Sequence, residues 1–330
     1  MFLNYLILFS LLVSSQCFAK VNLQFDQPSD IHILENFAND QDGLHVFWWN
    51  IHHGQSNLKK PNHDFTQNLT NLIHSKSSPD VMSFAEYSDG DLQQDSKFLY
   101  LEVMRLYPYQ KFVSYKDTPL SGVITMSKYP LVEKSVDELD FVPLREMSNE
   151  EKAQYREQWC GGTDTCTRYF QVLNIEVHGK VYTLVPVHLF DCWRHYSKLF
   201  GKVATAAQII YGKSNPLFYQ IERLKMYMKL KIGEQLKLPG VLLYGDFNIP
   251  DHVEYFPTLA YSIISKNLTN SLALSSQDRP SFPSNDSQEY QHYPSLQIDH
   301  ALVSPGTEVG ISSVISLKGS DHYPIYINLK

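Results

Sequence analysis

The chain has 330 residues, 43% of them apolar and 13% aromatic, with 19% charged and a formal charge of −7. That apolar content excludes a disordered polypeptide, and the length allows one large domain or two small ones. The acidic balance excludes nucleic-acid binding through bulk charge, but leaves room for a local basic surface or a bound cation. Residues 1–19 carry no charged side chain, and the apolar block Leu6–Val13 ends in Ser14-Ser15-Gln16-Cys17-Phe18-Ala19. This pattern reads as a secretory signal cleaved after Ala19, although a basic n-region is missing, and leaves residues 20–330 as a single domain. A membrane anchor and a lipidated Cys17 are the competing readings. The block is too short for a bilayer, which needs about 20 apolar residues. The expected location is secreted, periplasmic or otherwise extracellular.

Leu44–Trp49 is a dense apolar and aromatic strand ending at Asn50. A helix over Asp64–Lys76 is broken by Ser78-Pro79-Asp80, and a second buried strand, Val81–Ala85, ends at Glu86. Lys97–Tyr107 has helical spacing and stops at Pro108. Strand-like runs follow at Lys111–Tyr115, Gly122–Met126, Leu131–Val136, Tyr169–Val177 and Val181–Val187, the last two joined as a hairpin through Gly179-Lys180. Phe141–Thr167 is polar and acidic and reads as an insertion. In an oxidising compartment its Cys160 and Cys166 can close a small loop, or Cys192 can replace one of them. None of the three cysteines has an activating constellation.

A long helix over Pro216–Leu236 leads to the strand Val241–Tyr244. A helix near Tyr255–Ser265 and a Ser/Pro-rich loop at Ser271–Pro294 precede three final strands, Gln297–Val303, Val309–Leu317 and Tyr323–Leu329. Hairpins mixed with helices predict an α+β fold: two mixed sheets packed face to face with helices outside. Asn68-Leu69-Thr70, Asn267-Leu268-Thr269 and Asn285-Asp286-Ser287 fit the glycosylation pattern of a eukaryotic host.

Polar residues stand where the apolar runs stop: Asn50, Glu86, His188, Asp246, Asn248, Asp299, Asp321 and His322. Strand ends are rigid enough to hold such groups in one constellation. Carboxylates and amides suit oxygen coordination of a hard divalent cation, and imidazoles suit proton transfer. Each residue alone has a plainer reading. Asn50 caps a turn, Glu86 marks a solvent-facing strand end, His188 is a satisfied core histidine, and Asp246 with Asn248 forms a turn. It is their shared placement that points to a site.

On GDFN at 245–248 and SDHYP at 320–324 the chain resembles the endonuclease/exonuclease/phosphatase superfamily. WN at 49–50, FAE at 84–86, the His188 strand, ID at 298–299 and GVITMSKYP at 122–130 support the resemblance, which runs from about Leu44 to Leu329. It implies a four-layer α/β/β/α sandwich and a metal-dependent phosphoric ester hydrolase. Carried over residue by residue, it implies Glu86 as principal ligand of Mg²⁺ or Mn²⁺, with Asn50 and Asp321 beside it. His322 is then the general base, held by Asp299. Asp246 and Asn248 orient the nucleophile and contact the phosphoryl group, and His188 donates to a phosphoryl or leaving oxygen. Arg168 and Asn50 are the implied phosphate contacts. The tyrosine some members carry between their second and third motifs is not assigned. His52 and His53, just after Asn50, receive no role.

The substrate is less legible. Arg194, Lys198, Lys202 and Lys213 are interleaved with Trp193, His195, Tyr196, Phe200, Phe218 and Tyr219 across 190–219. This is either a rim for stacked bases of an anionic substrate or an ordinary surface helix. The apolar stretch Leu199–Ile210 suits either core packing or contact with lipid. Gln297-Ile298-Asp299-His300 departs from the aromatic-Cys-Asp-Arg sequence of inositol phosphatases. A nuclease is therefore the leading expectation, followed by a sphingomyelinase or other phospholipid phosphodiesterase, and then a silent binding module of the same fold. Nothing indicates an obligate protein partner, and a monomer is expected.

Overall fold

A computed structural model describes residues 30–39, 42–52, 63–88, 97–116, 118–160, 166–190, 216–253, 256–274, 279–284 and 295–330. The signal-like stretch 1–19, His53, residues 191–215 with Cys192, and the Asn285 sequon lie outside the described residues.

The helices are α1 (Asp30–Asn39), α2 (His63–Ile73), α3 (Lys97–Leu106), α4 (Asn149–Cys160), α5 (Pro216–Ile232) and α6 (Leu259–Ile264). The strands of the first half are β1 (Leu44–Asn50), β2 (Val81–Ser88), β3 (Tyr109–Tyr115), β4 (Thr118–Ser127), β5 (Leu131–Leu139), β6 (Arg168–Val177) and β7 (Lys180–His188). The second half adds β8 (Val241–Asp246), the short β9 (His252–Val253), β10 (Phe256–Pro257) and β11 (Thr269–Asn270), then β12 (Asp299–Val303), β13 (Val309–Val314) and β14 (Ile325–Leu329).

Two six-stranded sheets result, ordered β13-β14-β1-β2-β4-β3 and β11-β12-β8-β7-β6-β5. Each is antiparallel except at its centre, where β1 runs parallel to β2 and β7 runs parallel to β8. A parallel pair places two carboxyl ends side by side at one sheet edge. The site residues emerge from those ends.

The apolar runs follow from burial on both faces. In β1 the period of two sends Leu44, Val46 and Trp48 inward, among β7, β8 and β12 residues such as Leu184, Leu242 and Ala301. Phe47 and Trp49 point outward to Phe65, Leu69 and Val103 of α2 and α3. On the far side, α5 presents Leu217, Ile221, Leu224, Met228 and Ile232 to the outer face of the second sheet. These positions recur every three or four residues, one helical stripe. The layers are thus helix, sheet, sheet, helix, the four-layer α/β/β/α sandwich expected.

Several expectations need correction. Within the segment read as an insertion, Phe141, Trp159 and Cys166 are core residues. Arg223 on α5 donates to the carbonyls of Asp140 and Val142 at 2.8 Å each, tying the start of that segment to the helix. The small loop expected of Cys160 and Cys166 is closed by a disulfide between them. The helix expected near Tyr255–Ser265 is only Leu259–Ile264, because a small hairpin of β9 and β10 takes its start. The last strand begins at Ile325, since the Tyr323 N–H is drawn off to the Ser281 carbonyl at 2.7 Å. Asn68 is buried and donates to the Lys318 carbonyl at 2.9 Å, so that sequon is closed in the folded chain.

Candidate active site

His188, Asp246 and Asp299 occupy one row across the second sheet, with His188 paired to Asp246 in β8 and Asp246 paired to Asp299 in β12. The first sheet contributes Asn50 at the end of β1, Glu86 in β2, and the Ser320-Asp321-His322 turn before β14. Gly245 makes the row possible. Its φ is +142°, and a Cβ there would lie 1.9 Å from the Val187 carbonyl oxygen. Asn248 adopts the left-handed conformation, φ +50°. Its N–H donates to Asp246 Oδ1 and its side-chain amide to the Leu189 carbonyl, both at 2.8 Å. Phe247 between them is buried in the outer core. Residues 245–248 are therefore a compact turn that presents one carboxylate and locks it.

Asp246 Oδ2 is where the cluster converges. Asn50 Nδ2 donates to it at 2.9 Å, and Nε2 of His188 and Nε2 of His322 lie 3.6 and 3.7 Å away. Asn50 Nδ2 also reaches Glu86 Oε1 at 3.3 Å. Burial first, and the Asp299 carboxylate second, hold the Asp246 acid well above the usual carboxylate range.

The two imidazoles are held differently. His322 Nδ1 pairs with Asp299 Oδ2 at 2.8 Å, and Asp299 Oδ1 accepts the Trp48 indole N–H at 2.9 Å. The Asp299 backbone N–H donates to Ser281 Oγ at 3.0 Å. Burial alone would push the His322 imidazole down, but Asp299 and then Asp246 hold it well above its ordinary value. His188 goes the other way. It is buried, and desolvation, only partly opposed by Glu86, brings it to about 3. Its Nδ1 is hydrogen-bonded to the Tyr115 hydroxyl, which also accepts the Glu86 N–H at 3.1 Å. With the hydroxyl donating to Nδ1, the proton of the neutral ring sits on Nε2, facing Asp246. Tyr115 and Trp48 are the residues that sequence reasoning missed.

Arg168, at the start of β6, lies over the Tyr115 ring at 4.4 Å and the Phe190 ring at 6.0 Å. Its charge is among the influences lowering His188, which places it beside the cluster. Asp321 is buried, and Ser320 Oγ donates to its Oδ1 at 3.2 Å. Asn50, Glu86, Arg168, His188, Asp246, Asn248, Asp299, Asp321 and His322 are thus brought to one end of the paired sheets.

The donor set fits a hard divalent cation. Glu86, Asp246, Asp299 and Asp321 gather with the Asn50 amide, and the burdened Asp246 shows negative charge crowded where water is scarce. Among the described residues, Asp246, Asp299 and His322 offer ligand atoms within 4.8 Å of one another. Asp299 also serves Trp48 and His322, and Glu86, Asp321 and Asn50 lie at the same end of the sheets.

A family model for the endonuclease/exonuclease/phosphatase family matches residues 47–322, which include every one of these side chains. The chain belongs to the endonuclease/exonuclease/phosphatase family. Members of this family hydrolyse phosphoester bonds and depend on divalent metal. Among solved structures, a mannosyl-6-phosphatase from Bacteroides thetaiotaomicron is 16% identical, with a TM-score of 0.55 over 87% of this chain and 99% of that one. TDP2 from D. rerio, complexed with single-strand DNA product, is 15% identical, with a TM-score of 0.52 over 88% and 100%. Sphingomyelinase C from Streptomyces griseocarneus is 17% identical, with a TM-score of 0.50 over 88% and 100%. At such identities the likeness is one of fold. No curated protein matches the chain by sequence.

Proposed function

We propose that this endonuclease/exonuclease/phosphatase family chain is a secreted, divalent-cation-dependent phosphodiester hydrolase that cleaves nucleic acid as a monomer. The observation that carries the reading is the convergence of two differently held imidazole Nε2 atoms on Asp246 Oδ2, at 3.6 and 3.7 Å. Glu86, Asn50 and Asp321 would hold the cation, Mg²⁺ or Mn²⁺, which would supply positive charge to the phosphoryl oxygens. His322 Nε2 takes the proton of the attacking water. Asp299 stabilises the charged ring that this transfer creates. Asp246 and Asn248 orient that water and the phosphoryl group. His188, with its proton fixed on Nε2 by Tyr115, donates to a phosphoryl or leaving oxygen. Arg168 adds positive charge at the same end of the sheets.

The nucleic-acid assignment rests on the wording of residues 245–248 and 320–324 and on the aromatic and basic residues at 190–219. Fold neighbours include both a protein complexed with single-strand DNA product and a sphingomyelinase, so a substrate panel separates the classes. Purified chain with Mg²⁺ or Mn²⁺ is offered plasmid DNA, RNA, sphingomyelin vesicles and a chromogenic phosphodiester. DNA or RNA cleavage is expected, abolished by chelator and lowered by about 10²- to 10⁴-fold in His322→Ala and His188→Ala. Cleavage of sphingomyelin alone would replace the substrate class. Turnover of nothing, by a folded protein, would leave a binding module.

A further inference from the structure

Away from the catalytic cluster, a pocket of about 530 Å³ opens between the end of α5, the α6–β11 connection and the turn at Pro305. Small-molecule sites ordinarily span about 300–1,000 Å³. Two hydrogen bonds fix the Pro305 turn against the residues before β8. Ser304 Oγ donates to the Leu238 carbonyl at 2.6 Å, and the Gly240 N–H to Thr307 Oγ1 at 2.8 Å. The pocket thus lies beside the start of β8, whereas Asp246 ends that strand. At about 3.3 Å per residue, roughly 17 Å of strand separates the two.

The lining has two chemistries. Met228 and Ile264 belong to the outer core of the second sheet, and Leu236 and Leu268 pack half-buried against that core. Among the described residues, Lys225, Lys229, Lys237 and Lys266 also line the pocket and no acid does. Glu234 pairs with Lys237 at 2.9 Å, both side chains largely exposed. Such a gathering of ammonium groups stands against the formal charge of −7 on the chain. Lys225 joins the two chemistries: half-buried, it donates to the Ile263 carbonyl at 2.9 Å. Desolvation first, and Lys266 second, hold its ammonium below the ordinary lysine value. An anion between the two lysines would relieve that crowding.

We propose that this pocket binds a single-chain anionic amphiphile, its acyl chain against Met228, Ile264 and Leu268 and its carboxylate or phosphate head between Lys225 and Lys266. A small anion such as phosphate would use the lysines and leave the apolar wall idle. An uncharged chain would do the reverse. A molecule carrying both parts satisfies the whole lining. Lysine suits such a rim, because its stem extends the apolar wall while the ammonium stays in water. The plain alternative is a packing gap flanked by solubilising lysines, with no preferred occupant.

Titration calorimetry on the full chain, with chelator present, uses octanoate, decanoate and dodecanoate below their micellar concentrations, with decyl phosphate, inorganic phosphate and octanol. Expected is one site whose affinity rises about 2- to 4-fold per added methylene. Decyl phosphate should bind alongside decanoate. Inorganic phosphate should bind at least about 10-fold more weakly than decanoate, and octanol than octanoate. Lys225→Gln/Lys266→Gln should lose about 10-fold or more, whereas Lys134→Gln, at an exposed position of β5, should change affinity less than about 2-fold. A decanoate bearing a terminal diazirine should label the peptides that hold Met228 and Leu268.

Binding that ignores chain length, or that inorganic phosphate matches, reduces the pocket to a basic surface and overturns the proposal. So does binding unchanged in the double variant, or a label placed elsewhere. No binding of any amphiphile leaves the packing gap. Sedimentation of the chain by phosphatidylglycerol vesicles, without binding of the soluble amphiphiles, would assign the lysines to a membrane surface instead. The pocket shares no residue with the catalytic cluster, so turnover of plasmid or sphingomyelin decides the hydrolase reading separately.

Discussion

Trp48 of one sheet donates its indole N–H to Oδ1 of Asp299 in the other at 2.9 Å, although 251 positions separate them in the chain. The same carboxylate holds His322 Nδ1 through its second oxygen. A core tryptophan thus fixes the rotation of the acid that fixes the imidazole.

Replacing Trp48 with phenylalanine keeps most of the apolar volume but removes the donor. A buried carboxylate oxygen left without its partner costs about 1–3 kcal/mol, which denaturant unfolding will register. Turnover should drop about 10-fold, chiefly in kcat, because Asp299 gains a second orientation and His322 follows it. Unchanged kcat in a destabilised variant would reduce Trp48 to packing alone.

Tyr115→Phe tests the other imidazole. Without the hydroxyl, the Nδ1 and Nε2 tautomers of His188 compete, and the Glu86 N–H loses its acceptor. The expected outcome is a kcat reduced about 10- to 100-fold with little change in KM. A purely structural tyrosine would instead lower thermal stability and leave kcat per folded molecule intact.

Gly245→Ala should be far harsher than its size suggests. The added methyl would stand 1.9 Å from the Val187 carbonyl oxygen, on a backbone that side chains rarely adopt. Neighbouring strands must part to admit it, so stability should fall by several kcal/mol, in the range of about 3–5 that marks severe core disruption. Soluble expression and the melting temperature read this directly.

Acid should weaken the fold partly through His188. Its folded value of about 3 lies below the ordinary value of about 6.5 for an unfolded histidine. Between those limits the unfolded chain binds a proton that the folded chain refuses. The stabilisation is complete above about pH 6.5 and shrinks as pH falls toward 3, by at most about 1.4 kcal/mol per pH unit. Asp246, raised rather than lowered, works in the opposite sense, so the comparison must be made against a variant. Melting temperature between pH 7 and pH 4 should fall less steeply in His188→Gln than in wild type.

Much of this architecture was legible before any coordinates. The four central strands stand out as strongly apolar runs, because strands buried on two faces need apolar residues at most positions, whereas the parallel pairing of β1 with β2 and β7 with β8 is not written in those runs. The polar terminators at Asn50, Glu86, His188 and Asp246 stood out against them, and all meet at one edge. Trp48 and Tyr115 did not stand out, since each reads as one more strand aromatic. A tryptophan on a buried strand nevertheless raises the question of where its N–H goes, and that question leads to Asp299. The packed character of the stretches around Phe141 and Cys166 was hidden for another reason. Its anchors are the guanidinium of Arg223 and the amide of Gln220, far along the chain, and they bind backbone carbonyls that no side-chain pattern records.

His188, Asp246 and Asp299 stand opposite one another in three adjoining strands. Because successive side chains alternate between faces, displacing any one of those strands by a single residue would swing its functional group away from the other two. Refolded material threaded one notch out of step could look native by circular dichroism and still be inert. For this fold, turnover per molecule is a more stringent gauge of correct assembly than any measure of strand content.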